Sequence, residues 1–355
     1  MNISTDPGSL YPSLNKPASG YEWWYFDGLS ADGKYGFVII FYLDNPFSTK
    51  KITELYNNSN TAGHVPAVSV SVYKDTQPVY YSFLEYGDNN FSWEKDAGIF
   101  RIGGDGFHFT HCSGRVEYEL SLSQQLVSGH SVEGSISFKS PAPDASLICN
   151  NDDSHHSWNL ILPRAKIKVN LSVNGSNRRQ DMVFAGTGYH DHNTGMEPMK
   201  ESFKDWYWGR YHFEDSTLIY YLMNGSSGKQ FKAWLIDRTN QQLIDTFDEI
   251  KTSAKQLNAF GLYSSRKIHF LAQRTKVAIQ CGKAVDNGPF YQRFIGNAVI
   301  ERNGLIYAAQ GFSEYIRPDR IYSKKFWPLV HMRLRYMAES PHWVQKSKRL
   351  YPWTW

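Results

Sequence analysis

At 355 residues the chain is long enough for two domains of ordinary size, and a net charge of +4 is too small for a nucleic-acid footprint. The three cysteines, Cys112, Cys149 and Cys281, are widely separated, which offers neither a CxxC zinc site nor a disulfide framework. Aromatic residues make up 15% of the chain while mean hydropathy is negative, the balance of a soluble protein with rings to spare for lining a pocket.

In chain order, the opening Met1–Gly8 carries neither the basic nor the apolar region of a signal peptide. No apolar run approaches the roughly 20 residues that span a bilayer, so a reduced, cytoplasmic location is expected. The run Tyr21-Glu22-Trp23-Trp24-Tyr25-Phe26-Asp27-Gly28 follows. As a strand it places Trp23 and Tyr25 on one face, with Glu22, Trp24 and Phe26 on the other. Further on, Val68, Val70 and Val72 alternate with Ser69, Ser71 and Tyr73. The same period recurs at Val116–Ser123 and at Lys166–Val173, each run giving one apolar and one wet face. Asp32-Gly33, Asn174-Gly175, Asn224-Gly225 and Asn303-Gly304 supply turn signals between such runs.

Helical periodicity is confined to Asp248–Asn258 and part of the C-terminal tail. Asn150–Ser154 reads as a surface loop feeding His155. Many short strands with polar turns predict an all-β protein of two barrel-like domains in tandem, residues 1–195 and 196–355, with a short helical and aromatic C-terminal segment. The last 32 residues, from Lys324, are basic and rich in Trp, Tyr and His. They are expected to cap the second barrel, with peripheral contact to a membrane as the alternative.

The chemistry concentrates in Gly188-Tyr189-His190-Asp191-His192-Asn193-Thr194-Gly195. Such a density of proton-handling groups has little use in a packing core, where each buried polar atom needs a partner. Because Met182-Val183-Phe184-Ala185 reads as a buried strand, the cluster belongs at a strand end or bulge. As a metal site, His190 and His192 would share a face and Asp191 would point away. Further ligands would have to come from His108, His111, His155 or His156, which nothing in the spacing singles out. As an acid site, Tyr189 and Asp191 share a face. A carboxyl desolvated there would keep its proton near neutrality and act as a general acid. The third possibility is a His/Asp/Asn turn bonded to its own backbone.

Two other stretches carry rings and polar groups in phase. His156 and Trp158 face one side, and in Asp205–His212 the pair Trp206 and Trp208 faces away from Tyr207. Together these suggest an aromatic cavity with a few acids and imidazoles. Protonating an unactivated alkene needs a dry acid and π-faces to stabilise the cation, and a neighbouring imidazole could deprotonate the water that captures it.

Glu22–Gly28, His156-x-Trp158 and the Gly188–Asn193 cluster, in this order, resemble the carotenoid 1,2-hydratase (hydroxyneurosporene synthase) family, related to the AttH-like lipocalin proteins. The resemblance implies a pair of lipocalin-like antiparallel barrels with no metal and no organic cofactor. It implies a hydro-lyase adding water to a double bond of an apolar polyene or isoprenoid. It carries the proton-donor role to Asp191 with Tyr189 beside it, and gives His156 and Trp158 the task of placing water and stabilising the cation. Trp23, Trp24, Tyr25, His190, His192, Asn193, Trp206 and Trp208 are the expected substrate-binding residues. Two alternatives use the same cavity: a cyclase or pericyclase folding a polyene, and a non-catalytic carrier.

Overall fold

The computed structural model describes residues 1–5, 11–14, 16–57, 63–112, 114–144, 147–148, 155–175, 179–225 and 228–355. It is 61% strand and 11% helix, in two curled half-barrel sheets, so the all-β, lipocalin-like expectation holds. The chain divides into two compact units. The first comprises Met1–Pro198 and Lys324–Trp355, the second Met199–Ser323.

Among the described residues the first unit holds a 13-stranded sheet. At its centre Tyr21–Ser30, Arg179–Gly195 and His156–Asn174 are consecutive neighbours, paired antiparallel. Tyr35–Asp44 flanks them on one side and Ser131–Pro141 on the other. The apolar phase of each strand turns inward. Val116, Tyr118, Leu120 and Leu122, with Ile167, Val169, Leu171 and Val173, join Phe26, Phe41 and Phe107 in one core. Lys166, Lys168 and Asn170 face water on the other side. Each buried aliphatic or phenyl side chain contributes about 1.5–3 kcal/mol to this assembly. Ala67–Lys74 departs from the expected wet face: Ser71 and Tyr73 are buried as well as the three valines. Tyr21–Ser30 and Tyr35–Asp44 are likewise buried on both faces.

Strand His156–Asn174 slips twice against Arg179–Gly195, between Leu160 and Leu162 and between Leu162 and Ala165. The two slips fall opposite Gly188–Asp191, within the polar cluster, and each places one extra residue on His156–Asn174.

The second unit is a 10-stranded sheet among the described residues. Its core gathers Tyr207, Tyr211, Tyr220, Phe270, Phe294 and Ile300. The Asn303-Gly304 signal is a tight hairpin between Tyr291–Arg302 and Leu305–Ile316, with both turn residues at positive φ, 51° and 78°.

Three expectations change. Asp248–Asn258 is not helical: Glu249–Leu257 is a strand paired with Tyr263–Leu271. Ile250, Ala254 and Leu257 sit at helical spacing, but the segment pairs in register with Tyr263–Leu271, and Ala254 takes a left-handed φ of 53° that a helix would not accept. A helix that periodicity did not reveal, Thr49–Tyr56, is started by Ser48, whose hydroxyl accepts from the Lys51 backbone N–H. The tail does carry the helices Trp327–Arg333 and Trp343–Lys346, yet it joins the first unit and not the second. Arg335–Tyr336 pairs with the edge strand Gln77–Glu85, and Val344 and Tyr351 enter the first core. The Asn150–Ser154 loop and Cys149 lie outside the described residues. Cys281 is a buried free thiol.

Candidate active site

The three central strands of the first unit set the site. In register, Trp158 lies beside Asn193 and Asn193 beside Trp23, while Asp191 pairs with Tyr25. Alternation then sorts the side chains. Tyr189, Asp191 and Asn193 share one face with Trp23, Tyr25 and Trp158. His190 and His192 point to the opposite face, into the core, with Trp24 and Phe26.

On the first face Asp191 is buried, at 4% exposure, and its carboxylate collects donors. Trp158 Nε1 reaches Oδ2 at 2.7 Å and Tyr189 OH reaches the same oxygen at 2.6 Å. Asn193 Nδ2 donates to Oδ1 at 2.8 Å. Burial, and then the charge and hydrogen bond of Asp191, hold the Tyr189 phenol well above its ordinary range, so Tyr189 keeps its proton and donates. These three donors favour the ionised carboxylate, whereas burial favours the protonated acid that proton donation requires, so the two effects oppose each other at Asp191.

His156 stands on the same face. Burial pushes its imidazole down to about 3, so the ring is neutral at physiological pH. Its Nδ1 is 2.9 Å from Tyr21 OH, and the ring also bonds to the Asn193 side chain. Asn193 therefore links the carboxyl of Asp191 to the imidazole of His156. Tyr21 reaches that imidazole across Gly195, where an added Cβ would fall 2.0 Å from the Tyr21 ring. Trp23 stacks on Tyr21 with centroids 5.3 Å apart, and Tyr25 meets Tyr189 edge-on at 6.2 Å. The face thus combines one carboxyl, one neutral imidazole and several π-surfaces.

The core-facing residues do something else. His190 stacks on Phe26 at 3.9 Å, and its Nδ1–H donates to the Tyr25 carbonyl at 2.9 Å. Burial pushes His190 to about 3 as well. His192 stacks on Trp24 at 4.6 Å, and its Nε2 lies 2.7 Å from Glu22 Oε1. Lys16 Nζ meets the other Glu22 oxygen at 2.5 Å and Asp44 at 3.2 Å, and Lys51 closes on Asp44 at 3.1 Å. Burial opposes ionisation of Glu22, but His192 and Lys16 outweigh it and hold the carboxyl below its usual value. Among the described residues no group of three or more His, Cys, Asp or Glu is placed to hold a metal ion.

The family model for carotenoid hydratase CrtC matches residues 56–340. The chain belongs to this family. A protein of Chlorobaculum tepidum named hydroxyneurosporene dehydrogenase is 30% identical over 91% of this chain and 89% of its own length. The acyclic carotenoid 1,2-hydratase of Thiocapsa roseopersicina is 26% identical over 59% of this chain, which matches about half of that enzyme, 49%. An AttH-type protein of Nitrosomonas europaea shares the fold, with a TM-score of 0.55 at 15% identity over 88% of this chain and 98% of that one. The matched segment includes His156, Trp158 and the Gly188–Gly195 cluster, whereas Tyr21–Gly28 lies before it.

The residues singled out in the sequence therefore divide. Asp191, Tyr189, His156, Trp158, Trp23, Tyr25 and Asn193 share one face. Trp24, His190 and His192 occupy the reverse of the same sheet. Trp206 and Trp208 belong to the second unit, on strand Asp205–His212, and point away from its core residues Tyr207 and Tyr211, as alternation predicted. Tyr21 was missed as a site residue, although its phase matches that of Trp23 and Tyr25. The Lys16–Glu22–Asp44–Lys51 network was missed too. No sequence spacing announces it, because the register of three separate segments creates it.

Proposed function

We propose that this chain is a hydro-lyase that protonates a carbon–carbon double bond of an apolar polyene or isoprenoid and adds water. The observation that carries this reading is Asp191, buried and held by Trp158, Tyr189 and Asn193, with a neutral imidazole joined to it through Asn193. Membership of the carotenoid hydratase family supports the reaction class.

In this reading the Asp191 carboxyl transfers its proton to one alkene carbon, and the π-electrons form the new C–H bond. The cation on the other carbon lies against the aromatic faces, each worth about 1–2 kcal/mol when desolvated. Trp158 and Tyr189 stabilise the carboxylate left behind. Water bonds to the cationic carbon and its surplus proton passes to His156. Return of that proton to Asp191 through solvent completes the cycle, with one water consumed. Turnover in heavy-oxygen water tests it: the product gains one labelled oxygen. A product with the mass of the substrate overturns hydration and leaves capture of the cation by an internal double bond.

A further inference from the structure

The segment Lys324–Trp355 contains seven lysines and arginines against one acid, Glu339, and four tryptophans. Its inner side is firmly anchored. Arg335–Tyr336 extends the first sheet, Val344 and Tyr351 are buried, and the Trp355 ring lies against Tyr80 and His130. His342 and Gln345 form a capping box on Trp343–Lys346, and Gln345 Nε2 also ties down the carbonyls of His331 and Leu334.

The outer side is different in kind. Trp343 is 63% exposed and Trp353 84%, and every other tryptophan is at least partly buried. The two short helices that carry them, Trp343–Lys346 and Tyr351–Thr354, pack against each other. Lys346, Lys348 and Arg349, between the two indoles in the chain, are all exposed, as is Met337. A cavity of about 390 Å³ opens in the same segment, with Arg335, His331 and His342 in its wall beside Lys50, which pairs with Glu339 at 2.8 Å. The His342 ring lies 5.6 Å from that of Trp343. Indoles in water beside lysines and arginines match a bilayer interface, where the ring finds the headgroup level and the cation finds phosphate.

We propose that this face of the tail docks on the surface of an anionic lipid bilayer. Trp343 and Trp353 seat among the headgroups, and Lys346, Lys348 and Arg349 pair with lipid phosphate. The charge excess favours a lipid surface over a second protein, whose interface core is normally depleted in lysine.

Co-sedimentation of the full chain with phosphatidylcholine vesicles, with and without phosphatidylglycerol, tests the proposal. The chain is expected to pellet with the anionic vesicles only, and less as salt is raised. Replacing Lys346, Lys348 and Arg349 together by serine should weaken binding about a hundredfold. The Trp343→Ser/Trp353→Ser variant alters only exposed rings and so should remain folded. It should bind at least tenfold more weakly, and brominated lipid should quench its fluorescence less than that of the parent. Failure of the parent to bind anionic vesicles overturns the proposal, as does unchanged binding by both variants. An oligomer that the tryptophan variant dissociates, with no vesicle binding, would overturn it in favour of a protein interface.

Discussion

Trp158 and Asp191 stand 33 residues apart in the chain, and the indole N–H of one donates to the carboxylate Oδ2 of the other at 2.7 Å. The bond crosses between two neighbouring strands, so the sheet itself fixes it before any ligand arrives. A proton donor whose conjugate base is stabilised in advance needs no rearrangement at the moment of transfer.

Asp191→Asn keeps the size of the side chain and removes the acidic proton. Turnover is expected to fall by about 10²–10⁴-fold while the apolar substrate still binds. Steady-state kinetics beside a direct binding measurement check this. Full turnover in the variant would show that Asp191 is not the acid, whereas a parent that binds the polyene and returns it unchanged would favour the carrier reading.

Tyr189→Phe and Trp158→Phe each delete one donor from Oδ2. Hydrogen bonds to a charged group are worth about 1.5–3 kcal/mol, so kcat should fall roughly ten- to hundredfold in each, with little change in KM. Because both donors serve one oxygen, the double variant should depart from the product of the single effects. Strict multiplicativity would mean that the two act separately.

Acid should destabilise the fold through two histidines. His156 and His190 are both pushed to about 3 by burial, from an ordinary value of 6.5. Between those values the unfolded chain binds protons that the folded chain refuses. The stabilisation is therefore complete above pH 6.5 and is lost as the pH falls toward 3. Urea midpoints from pH 7 to pH 4 should drop, and a His190→Gln variant should show a shallower drop.

Glu85 should act with the opposite sign. Burial pushes it up to about 7, against hydrogen bonds from Asn45 and Ser48. The folded chain keeps a proton that the unfolded chain loses, so this contribution is present below pH 4.5 and disappears as the pH rises to 7. Relative to Glu85→Gln, the parent should lose on the order of 3 kcal/mol across that window. A constant difference between the two proteins would mean that Glu85 is ionised throughout.

Parity was legible in the sequence. The opposition of Trp23 and Tyr25 to Trp24 and Phe26, and of Asp191 to His190 and His192, follows from strand geometry alone, and the structure keeps both. Partnership across strands was not legible. Nothing in the order of residues says that Trp158 falls beside Asn193, or that Glu22 and Asp44 meet at Lys16, since register is a tertiary property. Glu249–Leu257 shows the same limit from the other side: its spacing looks helical, and the neighbouring strand overrides it. The tail's own helices could be read from its sequence, but which unit it caps depended on an edge strand more than 200 residues upstream.

The double slip of His156–Asn174 has a consequence for how this protein can change. Ile167 and its neighbours are locked inward, and two slips restore the phase that one would reverse. Removing a single residue between Leu160 and Ala165 would turn His156 and Trp158 into the barrel and strip Asp191 of its indole partner. Lengthening or shortening that stretch by two residues would preserve the arrangement. Relatives of this chain should therefore tolerate insertions here in even numbers only, a constraint on spacing that no comparison of the site residues by identity would detect.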